Sequence, residues 1–596
     1  MTYNIGWGRS EINIEPRGYA MSGYGMAHHQ ARSARTPLFA RAMLIGEEGL
    51  IGEEGLIGRA GGSEPGGGPV HPVILCCLDV AMVTHAMRTA ASTALAQLLG
   101  QRFDDERFVL TCTHTHSSPG GCGHEAMYNF VTPGFLQDHL DAVVAAIVAA
   151  VAGAESTSAP STLSIARSQF PESDKVAWNR SIAAYNRNSE VPAISTAHAD
   201  TAIDRRMTVL TVSRQNQLRS LLSIFGVHPT CIGNQMNAHD GDNKGYAAAY
   251  AEREMAVASG LTDAVAIFAQ GTAGDVSPHY HGPGQRRRRR TVRRAGDVDY
   301  AVRNGELQSH RALTTVAASP AVDVDGPLDA VLAFFDFTAV DVDPVFAAGS
   351  VGARTGDACH GAGFFAGTPV DGLGAPPVAM AVARAAARSL RWWRRSRWNR
   401  MSADDRRYYD ALYLAQEPKD IVTEATRKLL LGRPLARTPL PDFVDPAVAE
   451  MKRESRRGAV TASPLVATVL PVQIVRIGQL ALVCCPGEFT TIAGRRLRDS
   501  LATQLAEAGI EEVLIVTYCN DYMGYVTTHE EYQEQAYEGG HTIFGQWTLA
   551  AFQTRFAELA AQLATDPARR DYDVNARPPE VPADELALRS GLSARP

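Results

Sequence analysis

Short apolar runs alternate with longer Ala-rich stretches through most of the chain. The runs at 73–78, 108–113, 221–226, 264–269, 472–477, 481–485 and 513–518 have the length and composition of buried strands. The stretches at 138–152, 247–259, 491–508 and 546–564 read as helices. Strands interleaved with helices in this way predict an α/β (α+β) body, a large mixed β-sheet core covered by helices. Polar motifs recur just after the strand runs, where loops at sheet edges commonly form sites.

Three segments interrupt the pattern. Residues 44–58 repeat the six-residue unit LIGEEG, and a Gly-rich stretch follows to 69, which predicts an expanded hairpin loop. Residues 286–294 hold seven arginines and read as a solvated loop within 281–296. Residues 566–596 are rich in Pro, Arg and acid with little periodic apolar content, the signature of a linker or arm. The organisation expected is one catalytic domain over 1–565 with a C-terminal tail.

Composition narrows the class. Of 596 residues, 57 are basic and 64 acidic, and a net charge of −7 argues against a surface built for nucleic acid. With 45% hydrophobic and 20% charged residues, wholesale disorder is excluded. The apolar stretch at 142–152 falls far short of the roughly 20 residues that span a bilayer. The first residues lack a basic start with an apolar core. Nine cysteines, two adjacent pairs (Cys76/Cys77 and Cys484/Cys485) and no CxxC spacing predict reduced, buried thiols in a cytoplasmic protein.

Five motifs carry chemistry. THTHSSPGG (113–121) follows a strand run, and alternate residues of a strand share a face, so His114 and His116 can enter one pocket. A His-x-His pair there suits zinc, or equally two histidines hydrogen-bonded near a Gly-rich turn. GVHPT (226–230) places His228 at another strand end. FAQGTAGDVSP (268–278) contains Ser277 in what also reads as a tight turn. CPGEFTT (485–491) sets Glu488 between a strand and a helix, and 521–539 is crowded with tyrosine and glutamate. Neither GxSxG nor HExxH occurs, which disfavours two common hydrolase designs.

Together and in this order, these motifs resemble the neutral/alkaline, non-lysosomal ceramidase family, whose members hydrolyse the amide of N-acylsphingosine. The matching stretches include THTHSSPGG, NRSIAAY, GDNKGYA, FAQGTAGDVSP, FFAGTPVDGLGA, CCPGEFTTIAGRRLR and YVTTHEEYQEQAYEGGHTIFG, spread over about residues 3–555. The resemblance implies a Zn2+ site made by His114, His228, Glu488 and Tyr525, with Ser277, His116, Arg180 and Tyr537 around the scissile amide. It implies a zinc-dependent amidohydrolase that cleaves ceramide or a similar N-acyl lipid to a free amine and a fatty acid. Attack by a zinc-activated water and an acyl-serine are both open.

The match departs from the family in places. Pro229 stands where family members usually have Gly after the histidine, and known members carry a C-terminal β-sandwich where about 30 residues follow the last helix expected here. The insertion 376–400 holds seven arginines and Trp392, Trp393 and Trp398. Tryptophan with arginine on a helix suits peripheral membrane contact, or else the rings pack on the body while the arginines are solvated. Two other functions stay open: the same chemistry on a smaller polar N-acyl or ester substrate, and non-enzymatic lipid or anion binding.

Overall fold

The computed structural model describes residues 3–47, 71–132, 134–279, 294–318, 321–372, 374–438, 442 and 446–590. The strands of its two principal sheets are β1 (Tyr3–Glu11), β2 (Phe39–Glu47), β3 (Val73–Leu78), β4 (Phe108–Cys112), β5 (Ala159–Gln169), β6 (Arg206–Arg214), β7 (Gln217–Ile224), β8 (Val265–Ala269), β9 (Leu328–Asp336), β10 (Val469–Ile477), β11 (Leu480–Cys484) and β12 (Glu512–Val516). The larger sheet has nine strands in the order β8-β7-β6-β5-β1-β2-β3-β4, with Val322–Asp323 paired to β5. The smaller runs β9-β10-β11-β12. Three neighbour pairs are parallel: β3 with β4, β7 with β8, and β11 with β12.

The two sheets share one apolar layer. Ile5, Trp7, Leu75, Val109, Leu210 and Ile267 of the larger sheet cluster with Val475, Ile477, Leu482, Leu514 and Val516 of the smaller. The alternate residues Val472, Ile474, Ala481, Val483, Val513 and Ile515 point the other way, into helices. Both faces are therefore buried, which is why these strands read as continuous apolar runs rather than as alternation. Helices α1 (His85–Leu99), α2 (Gln137–Thr157), α3 (Asp242–Ser259) and α4 (Arg294–Ala318) cover the outer face of the larger sheet. Helices α5 (Thr491–Glu507) and α6 (Thr548–Leu563) cover that of the smaller. The result is a helix–sheet–sheet–helix sandwich.

Every strand and helix expected from the hydrophobic pattern is present, and β1, β2, β5, β6, β9, α1 and α4 are additions to it. In β1 the pattern is broken by Gly6 and Gly8, where α2 crosses the sheet. A Cβ on Gly6 would stand 1.7 Å from the Ala154 carbonyl oxygen, and one on Gly8 2.2 Å from that of Ala150. α2 is long and apolar enough to span a bilayer by length and hydropathy, unlike the shorter stretch read from sequence, but its Leu140, Val143, Ile147 and Val151 are packed in the core.

The three interrupting segments differ in outcome, and the strands flanking the repeat pair as a hairpin does. Residues 44–47 of the repeat complete β2, which pairs antiparallel with β3 (Ile45 opposite Val73), and the remainder of the repeat lies outside the described residues. So does the arginine run up to residue 293, while Arg294 opens α4. The tail is no free arm. Arg570 pairs with Asp329, the Tyr572 hydroxyl donates to Glu106 over 2.8 Å, and the Ala583–Ser590 helix buries Arg589, whose Nε donates to the Ala459 carbonyl over 2.6 Å. All nine cysteines are buried with free thiols.

Residues Pro377–Ser396 form a helix that departs from the packed-tryptophan reading at Trp392 and Trp393, while most of its arginines are solvated as expected. Trp392 and Trp393 are exposed, while Arg394 is buried and donates to Glu424 over 2.8 Å. Trp398 packs partly against Tyr409, Leu412 and Ile421, so it does not share the outward face of the other two.

Candidate metal centre and active site

The chemistry-bearing motifs follow the carboxyl ends of strands that are paired in parallel. His114 follows β4, His228 follows β7, Ser277 follows β8, Glu488 follows β11 and Tyr525 follows β12. Parallel strands deliver their ends to one side of a sheet, the usual place for a site in α/β architecture. Two short ladders refine the placement. Glu488–Phe489 pairs in parallel with Tyr525–Val526, putting Glu488 opposite Tyr525. Val276–Ser277 pairs with Trp178–Asn179, which holds Ser277 beside the Arg180 segment. The fully buried Gln270 ties two of the loops. Its amide donates to the Thr113 and Val227 carbonyls over 2.8 Å each and accepts from the Val227 N–H over 3.1 Å.

Four donors meet at the centre. Glu488 Oε2 lies 2.9 Å from His228 Nε2, and Glu488 Oε1 lies 3.4 Å from His114 Nε2. The Tyr525 hydroxyl lies 3.2 Å from His228 Nε2. His116 brings a further nitrogen, with Nε2 at 3.1 Å from that of His114, and the donor atoms of His114, His116 and His228 all lie within 4.8 Å of one another. His114 has φ 69°, so the two histidines of the His-x-His pair converge through a left-handed residue rather than through strand alternation.

Hydrogen bonds set the orientation of the rings. His114 Nδ1 donates to the Ala81 carbonyl, and His228 Nδ1 donates to that of Val276 over 3.1 Å. Both Nε2 atoms then face Glu488. His116 Nδ1 has no such partner; its ring stands edge-on to Tyr24 at 4.6 Å. Tyr522 and Tyr518 donate to Glu488 over 2.5 and 3.1 Å. Burial would raise the Glu488 carboxyl, but His114, His228 and the Tyr522 hydrogen bond outweigh it and hold Glu488 well below the usual carboxylate range. Burial, with the Glu488 charge, pushes the Tyr525 phenol well above its ordinary value, and a cation at the centre would reverse that preference.

A second ring of groups surrounds these. Arg180 donates to Glu538, Asp371 and the Tyr525 hydroxyl, each over 2.9 Å, and to the Gly274 carbonyl over 2.8 Å. Ser277 is fully buried and donates its hydroxyl to Asp371 Oδ1 over 2.7 Å, where Thr230 also donates over 2.9 Å. Burial would raise the Asp371 carboxyl, but Arg180 and then His279 hold it well below the usual range. Tyr537 is half-buried, 5.2 Å from the Tyr525 ring, and with the half-buried His116 it marks the more open side of the cluster.

All eight residues read from the sequence are thus brought into one cluster around Glu488. A single sequence model, described as neutral/alkaline non-lysosomal ceramidase, N-terminal, matches residues 3–429 and 456–554. The chain belongs to this ceramidase family. It is accordingly a hydrolase of amide C–N bonds. The neutral ceramidase of Mycobacterium tuberculosis is 30% identical over 561 residues, covering 94% of this chain and 76% of the relative. That of Pseudomonas aeruginosa is 28% identical over 599 residues, covering 100% and 76%. A solved structure titled as ceramidase complexed with C2 superposes with a TM-score of 0.75 at 27% identity, covering 97% of this chain and 77% of its own. The Pseudomonas aeruginosa neutral ceramidase crystal structure gives 0.72 at 26% identity with the same coverage.

Sequence reasoning missed Asp371, Glu538, Thr230, Tyr518, Tyr522 and Gln270. The signals were local. Asp371 lies in the FFAGTPVDGLGA stretch, Tyr522 and Glu538 in the tyrosine- and glutamate-rich segment, and Gln270 in the Ser277 motif. What the chain order does not display is that one arginine joins Asp371, Glu538 and Tyr525.

Proposed function

We propose that this ceramidase cleaves the amide of ceramide or a similar N-acyl lipid, with zinc held by His114, His228, Glu488 and Tyr525. The observation that carries the reading is the Glu488 carboxylate bridging two histidines whose outer nitrogens are tied to backbone carbonyls. Two neutral imidazoles, a carboxylate and a phenol on separate rigid elements are a chemically suitable donor set for zinc. His116 lacks the carbonyl tie that orients the two histidines, which favours it as a reacting group rather than a ligand.

Bound there, zinc supplies Lewis acidity toward the amide carbonyl and an activated water at neutral pH. His116, set between His114 and Tyr24, moves a proton between the attacking water and the leaving amine. Arg180 and Tyr537 donate toward the developing oxyanion. Ser277 points its proton at Asp371, and a carboxylate held that far below the usual range is too weak a base to remove it. This favours Ser277 as a hydrogen-bonding, positioning group over an acyl-serine.

Elemental analysis of the dialysed protein, paired with hydrolysis of N-acyl substrates from long-chain ceramide to short polar amides, tests the reading. Zinc at one ion per chain with release of a sphingoid base supports it. Turnover confined to small polar amides would reassign the substrate, and full activity without metal would overturn the centre.

A further inference from the structure

The Pro377–Ser396 helix presents an apolar face that nothing among the described residues covers. At roughly 100° per residue, Val378, Val382, Ala385, Ser389 and Trp392 fall on one line, with Trp393 beside its far end. The line is about 21 Å long at the helical rise. Val378 is 77% exposed, Val382 65%, Trp392 71% and Trp393 44%. The opposite face meets the body through Ala387 and Arg394, and the Arg394 guanidinium stacks 4.0 Å from the centre of the Tyr409 ring. The helix is thus held by its arginine while its tryptophans face solvent. An aromatic side chain offers roughly 150–250 Å² of surface to bury, so two side by side in water are a costly feature for a surface with no partner.

Charge names the partner. Residues 377–402 contain seven arginines and no acidic residue. Arg388, Arg391 and Arg394 are matched by Asp420, Glu417 and Glu424. Arg384 and Arg395, exposed along one flank of the apolar line, and Arg397 and Arg400 near its end have no carboxylate partner among the described residues. Apolar rings edged by unmatched guanidinium groups fit the interface of a bilayer, with indoles at headgroup depth and arginines on phosphate. The helix also leaves the site wall directly. Asp371, which holds Ser277, precedes its first residue by one short loop, and a Cβ on the intervening Gly372 would contact the Tyr24 ring that abuts His116.

We infer that this helix lies flat on an anionic lipid surface and holds the active site at the bilayer that supplies its substrate. The choice of partner rests on the N-acyl lipid reading; the binding itself does not require turnover. The purified protein is sedimented with phosphatidylcholine vesicles with and without phosphatidylglycerol, against Trp392→Ala/Trp393→Ala and Arg384→Glu/Arg395→Glu double variants. All four side chains are exposed, so both variants keep the fold. Wild type should bind the anionic vesicles with a blue shift in tryptophan emission, and binding should weaken in salt. Each double variant should bind at least about tenfold more weakly, since each removes one of the two attractions that interfacial helices combine. Hydrolysis of a soluble short-chain amide should be unchanged. Equal sedimentation of wild type and variants, or no binding by wild type, overturns the inference. So does a wild-type dimer that the tryptophan variant breaks, which would give the face to a second copy. Loss of short-chain hydrolysis in wild type would instead count against the amide reading alone.

Discussion

At the scale of single residues, the centre depends on a small number of oriented side chains. His228 meets both Glu488 and Tyr525, so His228→Ala should cost the metal outright while the fold, whose core lies between the sheets, persists. Metal content by elemental analysis with circular dichroism of the same sample checks both halves. Ser277→Ala and His116→Ala should keep the metal and lose about 10²-fold or more in kcat, because the first removes a group that positions the site through Asp371 and the second the group that moves the proton. Near-normal turnover in either would make that residue structural. Asp371→Asn is the sharper probe of Ser277. It keeps the shape but loses the charge opposite Arg180, so kcat should fall with metal content intact.

At the scale of elements, the site is a matter of loops held at fixed separation. Gln270 spans the gap between the loops after β4 and β7 by hydrogen bonds to Thr113 and Val227, each next to a histidine of the centre. Gln270→Ala would leave buried backbone groups unpaired and free both loops, so affinity for the proposed zinc should drop about 10- to 100-fold, the range seen when groups orienting a ligand are removed. Competition with a chelator measures it, and unchanged affinity would show that the strands alone suffice. A left-handed residue persists at His114 because both neighbours are pinned, Thr113 by Gln270 and Thr115 by its hydroxyl's bond to the Asp240 carbonyl over 2.6 Å.

At the scale of the whole molecule, the tail helix and the segment beneath it bury charge far from the site. Arg589 is almost fully buried and pairs with Glu585 over 2.6 Å. Truncating it to alanine leaves that carboxylate buried and unmatched, which should cost about 3–5 kcal/mol, read as a loss of stability in urea. Nearby Glu454 is also buried, with one carboxylate oxygen unpartnered, and burial, reinforced by Glu450, pushes its carboxyl up to about 7 from 4.5. The folded state therefore holds a proton that the unfolded chain has released between those values. Stability from this group is present below 4.5 and lost as pH rises through about 7. Glu454→Gln should gain stability over wild type at pH 8 and not at pH 4, and parallel pH curves would defeat the assignment.

What the sequence determined by itself was local and compositional. Strands buried on both faces had to be continuous apolar runs, so 472–477, 481–485 and 513–518 were legible, and the motifs beyond them were legible as donor-rich loops. The four positions proposed to hold zinc were readable because each sits in a stretch that resembles the family. Strands with glycine or interleaved polar residues, such as β1 and β5, were not legible, because what makes them strands is pairing with partners far along the chain. The tertiary structure alone decided the rest. It brought Arg180, Asp371 and Ser277 together from three distant segments, docked a tail whose composition resembles a linker, and turned Trp392 and Trp393 outward by burying Arg394 against Glu424. Each of these outcomes is a contact between residues far apart in sequence, and hydrophobic period carries no information about which distant charge or carbonyl a side chain will meet.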